Sequence, residues 1–197
     1  MSSYIRRRTP GATYFFTLRL ADRHGDLLTR RIDDLRRAMR EVLAHRPFRI
    51  DAITVLPAAI HTLWTLPPGD ADYSSRIVML KSHFSRAQPL PSHRTPSQIR
   101  RGEKGIWQRR FWEHEIRDAE DYARHRDMIY LSPVQAGLCP RPQDWPHTSL
   151  HRDLKNGPAP PHPIGFGAGH PHLTKPRAPL SAWVADRLSM KQQGKAP

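Results

Sequence analysis

The stretch LPAAIHTLWTLP, Leu56 to Pro67, constrains the fold more than any other part of the chain. On an extended backbone Ile60, Thr62, Trp64 and Leu66 point to one face, and His61, Leu63 and Thr65 to the other. An apolar strand entered through a proline and a turn-like pair of alanines describes a central sheet element reached by a tight connection. His61 is the one group on it suited to acid–base or metal chemistry. Taken alone, it reads as a satisfied structural histidine. Mg²⁺ or Mn²⁺ needs several convergent ligands, and one imidazole does not supply them.

The segments around this strand follow a regular plan. Thr13 to Leu20 alternates as a first strand, with Tyr14, Phe16 and Leu18 against Phe15, Thr17 and Arg19. Thr29 to Arg46 reads as a helix with a core stripe of Ile32, Leu35, Met39, Val42 and Leu43, stopped by Pro47. Phe48 to Leu56 is a second strand, joined to the third by a hairpin turn at Pro57 to Ala59. Asp72 caps a helix from Tyr73 to about Arg86. Ala87 to Lys104, rich in Pro, Ser and Arg, reads as a flexible loop. Ile106 to Ile116 is a fourth strand or ribbon, and Asp118 caps a last helix from Ala119 to about Leu131, ended by Pro133. The expected fold class is α+β: a ferredoxin-like βαββαβ antiparallel sheet, its two main helices on one face, with an extra C-terminal helix and a Pro-rich tail. Residues 1–157 form one domain; 158–197, rich in Pro and His, read as a flexible tail. His162, His170 and His172 in that tail lack the regular spacing of metal ligands.

Charge narrows the partner. Lys and Arg number 32 against 18 Asp and Glu, a net charge of +14. That imbalance favours a polyanion, most simply nucleic acid, over a membrane surface. Arg6, Arg7 and Arg8 on an N-terminal arm suit phosphates, and Arg100, Arg101 and Lys104 either close on DNA or decorate a surface insertion. In the ribbon, Trp107, Phe111 and Trp112 interleave with Arg109 and Arg110, cations for phosphates among faces for unpaired bases. The competing expectation is that the rings are core and only the arginines are exposed; a split between the two is expected. Cys139 is the single cysteine, which excludes an intrachain disulfide and fits a reducing, cytoplasmic setting. No apolar run is long enough to span a bilayer, and no secretory leader is recognisable.

The segments TYFFTLRLADRHGDLLT, RPFRIDAITVLP, IHTLWTLPPGDADYSSR, KGIWQRRFWEHEIRD and YLSPVQAGL, with a following DWPHTS, resemble the REP-associated tyrosine transposases, in order from about Tyr4 to about Gly157. The resemblance implies a chemistry. Two histidines flanking an apolar residue hold Mg²⁺ or Mn²⁺, and a helix-borne tyrosine attacks single-stranded DNA to form a 5′-phosphotyrosine. A side-chain amide one turn after the tyrosine is the family's third ligand. Here those positions hold Ala59 and His61, Met128, and Ser132. A thioether cannot attack phosphorus, so the resemblance implies impaired cleavage and little or no metal binding. Tyr130 is the alternative nucleophile, although two residues on it points about 200° away around the helix.

Three functions follow. The first is a transposase-family protein that binds single-stranded or hairpin DNA with cleavage impaired. The second is an active enzyme rebuilt on Tyr130 and His61. The third is a non-enzymatic RNA-binding ferredoxin-like protein, which needs exposed aromatics on the sheet face.

Overall fold

Strand β1 (Thr13–Arg19) is buried along all but its last residue, because its alternating side chains enter two separate cores. The structure, a computed structural model, describes residues 8–91 and 93–157. After β1 come α1 (Leu27–Arg30), α2 (Ile32–His45), β2 (Arg49–Val55), β3 (Ala59–Thr65), α3 (Tyr73–Arg86), α4 (Pro96–Arg100), β4 (Trp112–Glu115), α5 (Ala119–Gln135) and α6 (Leu150–Asn156). The sheet order is β2-β3-β1-β4, with every pairing antiparallel. This is the ferredoxin-like α+β arrangement expected above.

Tyr14, Phe16 and Leu18 join Ile60 and Trp64 beneath α2 and α3, which contribute Leu35, Ala38, Val42, Tyr73, Ile77, Leu80 and Phe84. Phe15 points the other way, with Ala52, Leu63, Ile116, Tyr122, Ile129, Tyr130 and Leu150. The two main helices therefore share one face, while α5 and α6 close the opposite one. The outer edge of β2 is covered too: Val55 N–H donates to His147 O, and Ser149 N–H to Ile53 O. Covering an edge in this way removes a template for unwanted strand pairing.

Several boundaries differ from the sequence reading. The single helix expected over Thr29 to Arg46 is two, broken at Arg31, whose φ of −114° and ψ of 37° are not helical. The third strand begins at Ala59, after a turn closed by Leu56 N–H donating to Ala59 O. The loop expected from Ala87 to Lys104 contains α4, started by a reciprocal Thr95–Gln98 capping box. The ribbon expected from Ile106 to Ile116 is a strand only over Trp112–Glu115, preceded by a single bridge between Leu20 and Trp107.

The last helix runs past Pro133 to Gln135. Proline has no N–H for the carbonyl four residues back. The Ser132 hydroxyl donates to that carbonyl, Ile129 O, at 2.7 Å. A side chain thus replaces the missing backbone bond, and the helix continues.

The join between α2 and α3 rests on Arg76, which is buried to 2% exposure. Its guanidinium donates to Arg46 O, Pro47 O, Asp72 O and the Asp70 carboxylate. Asp72 caps α3 through Ser75 N–H, as expected from sequence. Replacing Arg76 with Met would keep the volume and strand these acceptors. Arg76→Met is expected to cost about 2–4 kcal/mol in urea unfolding, and a loss below ~1 kcal/mol would show that water replaces the guanidinium.

Candidate functional site

The face of the sheet under α5 carries the residues singled out from sequence. Pairing places Thr17 between His61 and Trp112, and Phe15 between Leu63 and His114. His61 is half-buried, with its Nδ1 2.9 Å from Thr17 Oγ1 in a shared hydrogen bond. Its ring stacks on Phe15 at 6.0 Å. Burial, with the Arg19 charge adding to it, pushes the His61 pKa down to about 4.

Along α5, Asp121, His125, Met128 and Ser132 follow one another at helical spacing. His125 lies 5.0 Å from Phe15, the ring that His61 also stacks on. Met128, which the resemblance sets at the nucleophile position, is 39% exposed. Ser132 is buried, and its hydroxyl is engaged with Ile129 O. Ala59 offers no donor atom. It lines a cleft of about 220 Å³ with Arg19, Arg23, His24, Pro57, Ala136 and Leu138. Arg19, Arg23 and His24 line it, with the Asp22 carboxylate engaged by His24 N–H at 3.0 Å behind them. One imidazole, an alanine and a committed hydroxyl do not fit a hard divalent cation, which takes several oxygen ligands.

Tyr130 points away from this face of α5. It is 1% exposed, and its hydroxyl donates to Asp153 Oδ2 at 2.6 Å and lies 3.2 Å from Ser149 Oγ. Burial, followed by the bond to Asp153, pushes its pKa up. A nucleophile must reach a phosphate and shed its proton, and this hydroxyl is placed for neither.

The expected basic contacts divide. Arg6 and Arg7 lie outside the described residues; Arg8 is exposed. Arg109 and Arg110 are exposed, Arg109 with only a loose 3.7 Å pairing to Glu103. Arg100 is exposed, and Arg101 pairs with Glu103 at 2.9 Å. Lys104 donates to Ser85 O at 2.9 Å and to Gln88 O, so it ties the loop to the end of α3. Trp107 packs on Phe84 at 5.5 Å, and Phe111 lies 6.1 Å from Phe16, both on the α3 side. The outward ring is Trp112, 54% exposed. Helices cover both sheet faces, and Trp112 is the one sheet aromatic left exposed among the described residues, where the RNA reading requires several.

A constellation not foreseen from sequence sits beside His61. His114 from β4 and Asp121 and His125 from α5 bring ligand-type atoms within 4.8 Å of one another. His114 Nε2 lies 2.8 Å from Asp121 Oδ2, and the two imidazoles stack at 4.6 Å. Asp121 is 1% exposed. It also accepts from Arg117 N–H and from the Arg124 guanidinium at 2.9 Å. Burial raises its pKa, but the bonds to His114 and Arg117 and the nearby imidazoles outweigh that and hold it at about 2. The carboxylate is thus already neutralised and hydrogen-bonded from several sides. The four-residue step from Asp121 to His125 was legible as one helix face; the arrival of His114 depends on the β4–α5 turn.

No family model matches the chain. Individual relatives do. The REP-associated tyrosine transposase of Escherichia coli strain K12 is 43% identical over 157 residues, covering 80% of this chain and 87% of that protein. A protein of Haemophilus influenzae described under the same family name is 45% identical over 156 residues, covering 79% and 89%. The chain belongs to the REP-associated tyrosine transposase family. A solved structure of such a transposase bound to a REP hairpin superposes with a TM-score of 0.69 at 41% identity, covering 91% of this chain and 97% of that one. Family membership leaves the chemistry to the residues present.

The low pKa of His61 has a measurable consequence. An unfolded histidine titrates near 6.5 and the folded one at about 4, so the unfolded state takes up the proton first. The contribution of His61 to stability is whole above pH ~6.5 and declines as the pH falls toward 4. His61→Gln is expected to flatten that part of the stability profile, and NMR should place the native ring's midpoint near 4. A midpoint at the ordinary histidine value would contradict the burial described here.

Proposed function

We propose that this transposase-family chain binds hairpin or single-stranded DNA and that its strand-cleaving step is impaired or lost. The observation that carries the second half is the pair of tyrosine positions. The family's nucleophile position holds Met128, and the hydroxyl of Tyr130 is sealed against Asp153. The first half is supported by the hairpin-bound relative, the +14 charge and exposed Arg8, Arg109 and Arg110. We place its work in the cytoplasm; no helix among the described residues is long and apolar enough to cross a membrane.

Binding of this kind is electrostatic and salt-dependent. Affinity for a labelled DNA hairpin is expected to fall at least roughly tenfold between ~50 and ~200 mM salt. A flat salt response, or no binding at low salt, would overturn the reading. Because the residues at positions 59, 61 and 132 suit a divalent cation poorly, metal is proposed to bind weakly or not at all. Chelation should then leave hairpin affinity unchanged.

Cleavage is tested by denaturing gels on a labelled hairpin with Mg²⁺ or Mn²⁺. No covalent protein–DNA product is expected from the native chain, nor from Met128→Tyr alone, which lacks the metal ligands. Ala59→His combined with Met128→Tyr should recover a detectable adduct if the scaffold has kept its geometry. These residues serve one mechanism, so their effects do not add. An adduct from the native protein that vanishes in Tyr130→Phe would establish the active reading instead.

A further inference from the structure

Trp112 is the outermost ring of an ordered stack. Its plane lies 6° from that of His114, with centroids 5.9 Å apart. His114 in turn stacks on His125, 4.6 Å away and 17° tilted. The inner end is anchored by Asp121, which bonds both His114 and, through its backbone carbonyl, His125 Nδ1. Phe15 supports Trp112 from the side, edge-on at 5.4 Å. A tryptophan left 54% exposed is therefore held in place by a fixed second layer of rings.

The surroundings specify what such a ring would take. Exposed Arg109 and Arg110 precede it in the chain. Arg117 and Arg124, both exposed, reach inward to Asp121 at 3.5 and 2.9 Å, which places two more cations beside the stack. An exposed apolar ring with Arg109 and Arg110 just before it in the chain, and with Arg117 and Arg124 at the Asp121 anchor of its stack, matches a nucleobase attached to a phosphate backbone. One strand over, Thr17 bonds His61. A base on Trp112 would thus bring the neighbouring backbone toward the vestigial site.

We propose that Trp112 is the stacking platform for one unpaired nucleotide of the DNA, preorganised by the His114–Asp121–His125 stack. The assignment rests on the DNA-binding function proposed above, and it narrows the base contact from the three ribbon rings to Trp112, since Trp107 and Phe111 pack toward the core. The same three side chains could be read as a metal centre. Two arginines and a backbone N–H already occupy the Asp121 carboxylate, so their arrangement favours a support for the ring.

The test compares two DNA hairpins with the same stem, one blunt and one with a short single-stranded extension, binding to the full chain and to its variants. Trp112→Ala should weaken binding of the extended hairpin roughly tenfold or more, while the blunt hairpin is affected little. Trp112→Phe, which keeps a ring, should retain most of the affinity; circular dichroism and melting check that both variants fold. With 2-aminopurine placed in turn along the extension, one position should be quenched by the native protein and not by Trp112→Ala. If the native chain binds DNA but Trp112→Ala treats both hairpins alike, or no position is quenched, this assignment falls and the DNA-binding function stands. If the native chain binds neither hairpin, both fall.

Discussion

Everything on the functional side of this molecule depends on β1 being buried on both faces. Phe15 and Phe16 are adjacent in sequence and belong to opposite cores. Phe16 is fixed among Trp64, Tyr73 and Phe111, at 5.0, 5.3 and 6.1 Å. That side locks the strand against α2 and α3. Phe15 then presents a rigid ring to the other side, where His61, Trp112 and His125 all rest on it. Three groups from β3, β4 and α5 are thereby aligned by one side chain. The packing density of an interior keeps such a ring from shifting without disturbing both layers.

Much of this could be read from the sequence, because it was local. The alternation in β1 and β3 assigned each side chain to its face, and Asp72 and Asp118 marked their helices as caps do. Thr95-Pro-Ser-Gln98 was an equally local signal for α4, obscured by a surrounding Pro, Ser and Arg composition that suggests a loop. Pro133 misled for a definite reason. A proline ends a helix when the carbonyl behind it loses its partner, and Ser132 supplied one. The ribbon before β4 was opaque because alternation holds only on a continuous strand. Trp107 and Trp112 sit on different structures, and nothing nearby in the chain says which ring faces outward.

The site was legible in part for similar reasons. Ala59, Met128 and Ser132 could be placed by resemblance, since each falls inside a recognisable motif. The His114–Asp121–His125 stack could not, since it forms only when β4 and α5 meet. The fate of Tyr130 was half visible: helical spacing turned it away, but its bond to Asp153 depends on α6, a further segment of chain.

The two cores draw on very different lengths of the chain. The layer under α2 and α3 is built from residues up to Ile106, with the flanking rings of Trp107 and Phe111. The layer under α5 joins Phe15 to Leu150. Synthesis proceeds from the N-terminus, and domains organise as their segments emerge. When Phe111 has been made, the first layer has all its parts, and the opposite face of the same sheet still exposes Phe15 and Leu63 to water. That face waits for a helix and a short closing segment yet to be translated. The surface that carries His61 is thus the last to be roofed over, and a nascent chain stalled before α5 would carry an open apolar sheet.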